Sequence, residues 1–144
     1  MATEELRELS QGIHPSVLTE GGLSPALKVL GRRSPVRVKL NIGFERRLPD
    51  HVEVAAYYTV SEALTNASKH ATATCTWVSL NVENDALLLS IRDDGVGGAD
   101  ASPGSGLTGL RDRIEALGGH IQIESPPGRG TLIEVAIPIE APLH

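Results

Sequence analysis

The 144 residues are 40% hydrophobic and 22% charged, an ordinary globular composition and enough chain for one domain with a proper core. A formal net charge of −5, with one Phe, one Trp and two Tyr, argues against nucleic-acid binding, since neither a basic surface nor a set of stacking platforms is supplied. The single Cys75 excludes an intramolecular disulfide and reads as a small buried hydrophobe. No apolar run approaches a membrane span and no signal peptide is visible, so the expected setting is cytoplasmic, with no membrane contact by this domain.

In chain order, residues 3–12 read as a short helix with Leu6, Leu9 and Ile13 three and four apart, broken at His14-Pro15. One thin apolar stripe of that kind calls for a partner outside the domain. The only boundary in the chain is placed there: residues 1–14 as the remnant of a preceding helical element, residues 15–144 as the domain proper. Ser24-Pro25 predicts an N-cap and first helical residue, with the helix running to about Leu30 and stopping at Gly31. Val36 to Ile42 alternates strictly and predicts a strand with one wet face.

Asp50 and Glu53 predict a capping box, with Glu53 reaching back to the start of a helix that runs to about His70. Its apolar stripe is Ala56, Val60, Ala63, Leu64, Ala67 and Ala71. Thr74 to Val82 and Ala86 to Arg92 predict two strands joined by a hairpin turn at Asn84-Asp85. A helix ending at Leu117 is stopped by Gly118-Gly119, and two more strands follow, at His120 to Glu124 and Thr131 to Pro138, joined by a turn at Pro126 to Gly130. The order α–α–β–α–β–β–α–β–β, with mostly antiparallel strands, predicts an α+β two-layer sandwich: a mixed sheet with helices on one face.

Three stretches carry chemistry. On the long helix Glu62, Asn66, Lys69 and His70 fall on one face, away from the alanine-rich stripe. A carboxylate, an amide oxygen and cationic groups so placed suit a divalent metal with bound phosphates, in which Asn supplies a hard oxygen and Glu orients or deprotonates a nucleophile. Taken alone, the same pattern also describes a solvated helix face. Asp93-Asp94-Gly95-Val96-Gly97-Gly98 ends an apolar strand in paired carboxylates followed by glycines, and a simple turn needs only one glycine. Gly104, Gly106 and Gly109 then open a helix, whose unpaired N–H groups attract anions. A polar acceptor at one end and an anion site at the other suit a nucleotide. The Gly104-x-Gly106-x-x-Gly109 spacing does not follow a strand directly, as a dinucleotide fingerprint should, and neither a P-loop nor the protein-kinase motif set is present. His14, before a proline and with no acid beside it, reads as structural, and Gly128 to Thr131 as a hairpin turn whose threonine hydroxyl is within reach of a phosphate.

Together and in this order, the stretch from Glu62 to Ala71 resembles the N box, and Asp93 to Gly97 and Gly104 to Arg113 resemble the two glycine boxes, of the ATP-binding catalytic domain of bacterial two-component sensor histidine kinases. Gly128 to Thr131 resembles that family's last glycine-containing turn. The Gly109-Leu110-Arg111-Asp112-Arg113 wording is most similar to the subfamily paired with NarL/LuxR-type response regulators. The resemblance spans about residues 23–138 and implies the fold shared by gyrase, Hsp90-type ATPases and MutL. It implies ATP and Mg²⁺ as ligands, with Asp93 accepting from the adenine amino group and Asn66 holding Mg²⁺. Gly95 and Gly97 would shape the base pocket, and residues 96–107 would form a mobile lid. Lys69, His70, Gly104, Gly106, Leu107, Gly109 and Thr131 would lie along the nucleotide, and Glu62 would sit where related ATPases place a general base. The phosphoacceptor His of the family, on a dimerising helix with an acid beside it, has no match in this chain. The implied partners are therefore a separate dimerisation domain and, beyond it, a response regulator, and the domain is expected to bind ATP without labelling itself. Two alternatives share the fold: an anti-sigma-factor-type serine kinase and a non-catalytic nucleotide-binding scaffold.

Overall fold

The computed structural model describes residues 21–44, 46–69, 73–95, 106–126, 128 and 130–139. The predicted helix over 3–12, His14, His70, Ala71, Gly97, Gly104 and most of the predicted lid lie outside these residues. Three helices are described: α1 (Leu23–Arg33), α2 (Asp50–Lys69) and α3 (Gly106–Ala116). Five strands, β1 (Arg37–Ile42), β2 (Cys75–Glu83), β3 (Ala86–Asp93), β4 (His120–Glu124) and β5 (Thr131–Pro138), form one sheet in the order β1-β2-β3-β5-β4. β1 runs parallel to β2 and the other pairings are antiparallel.

The β2–β3 hairpin sets the register of the middle of the sheet. Asn84 and Asp85 both have left-handed φ, 52° and 60°, as the two central residues of a tight hairpin turn require. Glu83 therefore pairs with Ala86, and the ladder runs out to Thr76 opposite Asp93. Period-two alternation then sends Val78 and Leu80 of β2, Leu87, Leu89 and Ile91 of β3, and Ile133, Val135 and Ile137 of β5 into the core. There they meet Leu23, Ala26 and Leu27 of α1, Val52, Ala56, Val60, Ala63 and Leu64 of α2, and Leu110 and Ile114 of α3. The buried alanines of α2 let that helix pack closely on the sheet. On the other face of the sheet Arg92 lies 4.7 Å over the Trp77 ring.

Three helix boundaries differ from the sequence-based expectation. α1 begins at Leu23, after Gly22 (φ 87°), because Leu23 is itself the first buried member of the stripe, and no side chain caps it. Gly31 does not stop the helix. The stop is Pro35: Ser34, held extended (φ −72°, ψ 137°) as a residue before proline must be, ends the helix after Arg33. The capping box at Asp50 does not form. The Pro49 carbonyl accepts from the N–H groups of Val52 and Glu53, so the helix starts one residue earlier in hydrogen-bond terms. Glu53 instead turns back beyond Asp50. Its buried carboxylate accepts from the Leu48 N–H (3.1 Å) and, in a two-pronged pair, from Nε and Nη2 of Arg47 (3.2 and 3.1 Å). A carboxylate 2% exposed is tolerable only with such partners.

The C-terminus of α3 behaves as expected. Gly118 takes φ 80°, its N–H reaches the Glu115 carbonyl, and the Gly119 N–H reaches the Ile114 carbonyl, which is the double closure that a left-handed glycine makes possible.

Glu53→Ala is expected to destabilise the domain by about 1–3 kcal/mol, the cost of leaving the buried Leu48 N–H without its acceptor. Glu53→Gln, which keeps an acceptor, should lose less. Urea midpoints with unchanged m-values would read the difference.

Candidate functional site

The strand end at Asp93-Asp94 separates two carboxylates by function. Successive side chains on a strand point to opposite faces, so both cannot serve one site. Asp93, 6% exposed, lies on the helix-facing side in line with Leu89 and Ile91. Its Oδ1 accepts from the Gly95 N–H (2.9 Å), and no described residue bonds its second oxygen. Asp94 is exposed and turned the other way. Its Oδ1 accepts from the N–H groups of Thr74 (2.7 Å) and Cys75 (3.0 Å), and its Oδ2 from the Thr74 hydroxyl. The hydrogen bond from the Thr74 hydroxyl, followed by those from the two N–H groups, lowers the Asp94 carboxyl from its ordinary range to about 2. Asp94 thus ties the chain leaving α2 to the end of β3, and Asp93 is left facing inward.

The turn before β5 completes this end of the sheet. Thr131 pairs with Asp93 across β3 and β5, and it is buried. Its hydroxyl lies 2.7 Å from that of Ser125, so it stands beside Asp93 already engaged by a neighbour. Gly130 has φ 77°, and a Cβ there would lie 2.2 Å from the Asp93 carbonyl oxygen. Only a glycine lets this backbone close on the strand end. On the other side of Asp93, Thr76 is its partner on β2. Thr76 is fully buried, and its Oγ1 has no hydrogen-bond partner. Sequence reading missed Thr76, although the signal was present: counting seven residues outward from the Glu83–Ala86 pair reaches Thr76 and Asp93.

The α2 residues fall on two turns. Glu62, half-buried, lines a cleft of about 390 Å³ with Tyr58, Ser61, Thr65, Gly109, Leu110 and Arg113. The structure therefore brings Glu62 of α2 to Gly109 of α3, and Arg113 lies 4.8 Å over the Tyr58 ring at the same cleft. Asn66 lies one turn on from Glu62, toward the end of α2 that Asp94 anchors through Thr74. Its side-chain nitrogen is buried without a partner. Lys69 closes the helix, and Gly106 and Leu107 begin α3. Among the described residues no three His, Cys, Asp or Glu side chains gather as a metal site, and no helix is long and apolar enough to cross a membrane. A separate hollow of about 360 Å³ on the opposite face of the sheet, lined by Ser79, Asn81, Ser90, Gln122 and Glu134 among others, holds none of the motif residues.

The family model for histidine kinase-, DNA gyrase B-, and HSP90-like ATPases matches residues 51–141, from the first turn of α2 past the end of β5. The chain belongs to this ATPase family. Among curated relatives it is 32% identical to the signal transduction histidine-protein kinase/phosphatase DegS of Brevibacillus brevis, over 94% of this chain and 37% of that protein. It is also 32% identical to the oxygen sensor histidine kinase NreB of Staphylococcus carnosus, over 94% of this chain and 42% of that one. The chain thus spans about two-fifths of the length of these relatives. Among solved structures, the Acinetobacter baumannii histidine kinase AdeS superposes with a TM-score of 0.62 at 20% identity, over 96% of this chain and 77% of that one. The histidine kinase domain of the Erythrobacter litoralis blue-light activated kinase superposes with a TM-score of 0.60 at 23% identity, over 81% and 57%. The five-stranded mixed sheet with its helices is the fold of those ATPase domains.

The Asp94 clamp makes a pH prediction for this ATPase domain. A folded-state pKa lowered to about 2 from the ordinary 3.8 contributes stability above pH 4 and loses it as pH falls through that window. Wild type should melt slightly above Asp94→Asn near neutrality, by a small margin since the clamp is solvent-exposed. The gap should close between about pH 4 and 2 in melting curves taken across that range.

Proposed function

We propose that this chain is the ATP-binding catalytic domain of a sensor histidine kinase: it binds Mg-ATP and presents the γ-phosphate to a His on a dimerisation domain outside this chain. The observation that carries the reading is Asp93, a buried carboxylate with one oxygen held by the Gly95 N–H and the other left to accept. Such an acceptor suits the exocyclic amino group of adenine and rejects a base that offers a carbonyl there, since two acceptors would face each other in a buried site.

From the base end outward, Gly95 and Gly97 flank the adenine, and Thr131 stands beside Asp93. Gly106, Leu107 and Gly109 of α3, with Gly104 just before them in sequence, would lie along the phosphates, since unpaired N–H groups and the helix dipole at a helix start favour an anion. Lys69 and His70, next along the chain from Asn66, would face the phosphates. Asn66 fits Mg²⁺: the amide atom assigned as Nδ2 is buried without a partner, so the amide turned over would put its oxygen there, and one amide oxygen with phosphate oxygens and waters is a ligand set this ion takes. When bound, the ion neutralises phosphate charge as the leaving group departs. Glu62, which lines the cleft between α2 and α3, would orient the incoming imidazole and accept its proton as the nitrogen–phosphorus bond forms and ADP leaves. Residues 1–14 would continue from the dimerisation element, and a NarL/LuxR-type regulator would receive the phosphoryl group from the full-length kinase. The names of the kinases related to this chain support the kinase reading.

Calorimetric titration of ATP with Mg²⁺ tests the site. A hydrogen bond to a charged group contributes about 1.5–3 kcal/mol, so Asp93→Asn should weaken binding by roughly 10- to 150-fold. Undiminished binding by the variant would move the base elsewhere. Incubated alone with γ-labelled ATP, the chain should acquire no label; with the dimerisation domain of its kinase added, label should appear on that domain's histidine and fall sharply with Glu62→Gln.

A further inference from the structure

The buried row Thr76–Asp93–Thr131 crosses three neighbouring strands, β2, β3 and β5, at the end of the helix-facing side of the sheet. Every other residue on that side of β2 and β3, from Val78 and Leu80 to Leu87, Leu89 and Ile91, is apolar. Thr131 has a partner for its hydroxyl in Ser125, and Asp93 has Gly95 for one oxygen. Thr76 alone in the row has none, at zero exposure. A buried hydroxyl without a partner is destabilising compared with the isosteric valine, which also suits a strand better. A threonine at this place therefore costs the ligand-free domain stability.

The ladder shows what the hydroxyl faces. The Asp94 N–H donates to the Cys75 carbonyl, one residue beyond the Thr76–Asp93 pair on each strand. That pattern makes Thr76 and Asp93 a non-hydrogen-bonded pair, the kind in which opposed Cα atoms come within about 4.5 Å and side chains on one face meet most closely. The residue opposite Thr76 on this face is thus the one whose carboxylate has an oxygen that no described residue bonds. An oxygen of a carboxylate has room for two donors.

We propose that Thr76 is a positioning residue for adenine recognition: when the base occupies the site, the Thr76 hydroxyl donates to the Asp93 oxygen that Gly95 does not hold. Asp93 is then fixed from both sides, by Gly95 through Oδ1 and by Thr76 through Oδ2, with Oδ2 directed at the base amino group. This rests on the reading of Asp93 as the adenine acceptor. Thr76 itself does not touch the nucleotide, since its side chain is sealed beneath the strand ends. Its effect is on the orientation of the acceptor, and it has opposite consequences for stability and for binding.

The test uses the chain as it stands, with Thr76→Val, Thr76→Ser, Asp93→Asn and the double variant Thr76→Val/Asp93→Asn, each read by melting temperature and by calorimetric ATP affinity. Thr76→Val should melt higher than wild type and bind ATP roughly 2- to 10-fold more weakly, a smaller loss than Asp93→Asn because the acceptor stays and only its orientation is relaxed. Thr76→Ser, which keeps the hydroxyl, should hold the wild-type affinity. In the Asp93→Asn background the valine should add no further loss, because the carboxylate it acts through is gone. Unchanged affinity in Thr76→Val, or an equal loss with and without the Asp93 carboxylate, would overturn the proposal. Failure of the unmodified chain to bind ATP would overturn the reading of Asp93 and this one with it. A structural role alone would lower melting temperature in the valine variant and leave affinity where it was.

Discussion

Two adjacent carboxylates at the end of a strand must point to opposite faces of the sheet, and the site depends on that constraint. Asp94 takes the outer side and binds the chain that leaves α2, through two N–H groups and a hydroxyl of Thr74 and Cys75. Asp93 takes the inner side and is left buried with an oxygen to offer. If the strand slipped by one residue, the clamp would face the core and the acceptor would face solvent. Register is therefore the first requirement, and the two-residue turn at Asn84-Asp85 supplies it from seven residues away.

From that fixed end the remaining parts are placed by packing. The small side chains of α2 pack the helix on the sheet, while Glu62 lines the cleft between α2 and α3. Gly130 allows the β4–β5 turn to press on the Asp93 carbonyl, a contact no other residue permits. The Glu53–Arg47 pair holds the segment entering α2, and Glu53 is the most buried carboxylate of the described residues. Burial alone would have pointed to the wrong acid. What separates the two is satisfaction: Glu53 has three donors, and Asp93 has an oxygen with none.

The same distinction bears on how the domain balances stability against recognition. Asn66 and Thr76 each carry a buried polar atom without a partner. Elsewhere among the described residues the helix-facing side is apolar or paired. If a nucleotide binds as proposed, directly at Asn66 and through Asp93 at Thr76, binding is expected to stabilise the folded state by providing those partners.

The sequence by itself determined the elements, their order, the turn at Asn84-Asp85, the glycine stop of α3 and the three motif stretches, because each rests on local period, local φ or composition. It also contained the pairing of Thr76 with Asp93, since a two-residue turn leaves one register. Only the tertiary structure decided which of Asp93 and Asp94 faces inward, that Glu53 reaches past Asp50 to Arg47 and Leu48, that Ser125 holds the Thr131 hydroxyl, and that Glu62 meets Gly109 and Arg113 across a cleft. Those outcomes depend on which groups from distant parts of the chain arrive beside each residue. A side chain's own type and spacing do not specify that, because the partners are selected by packing of the whole sheet against its helices.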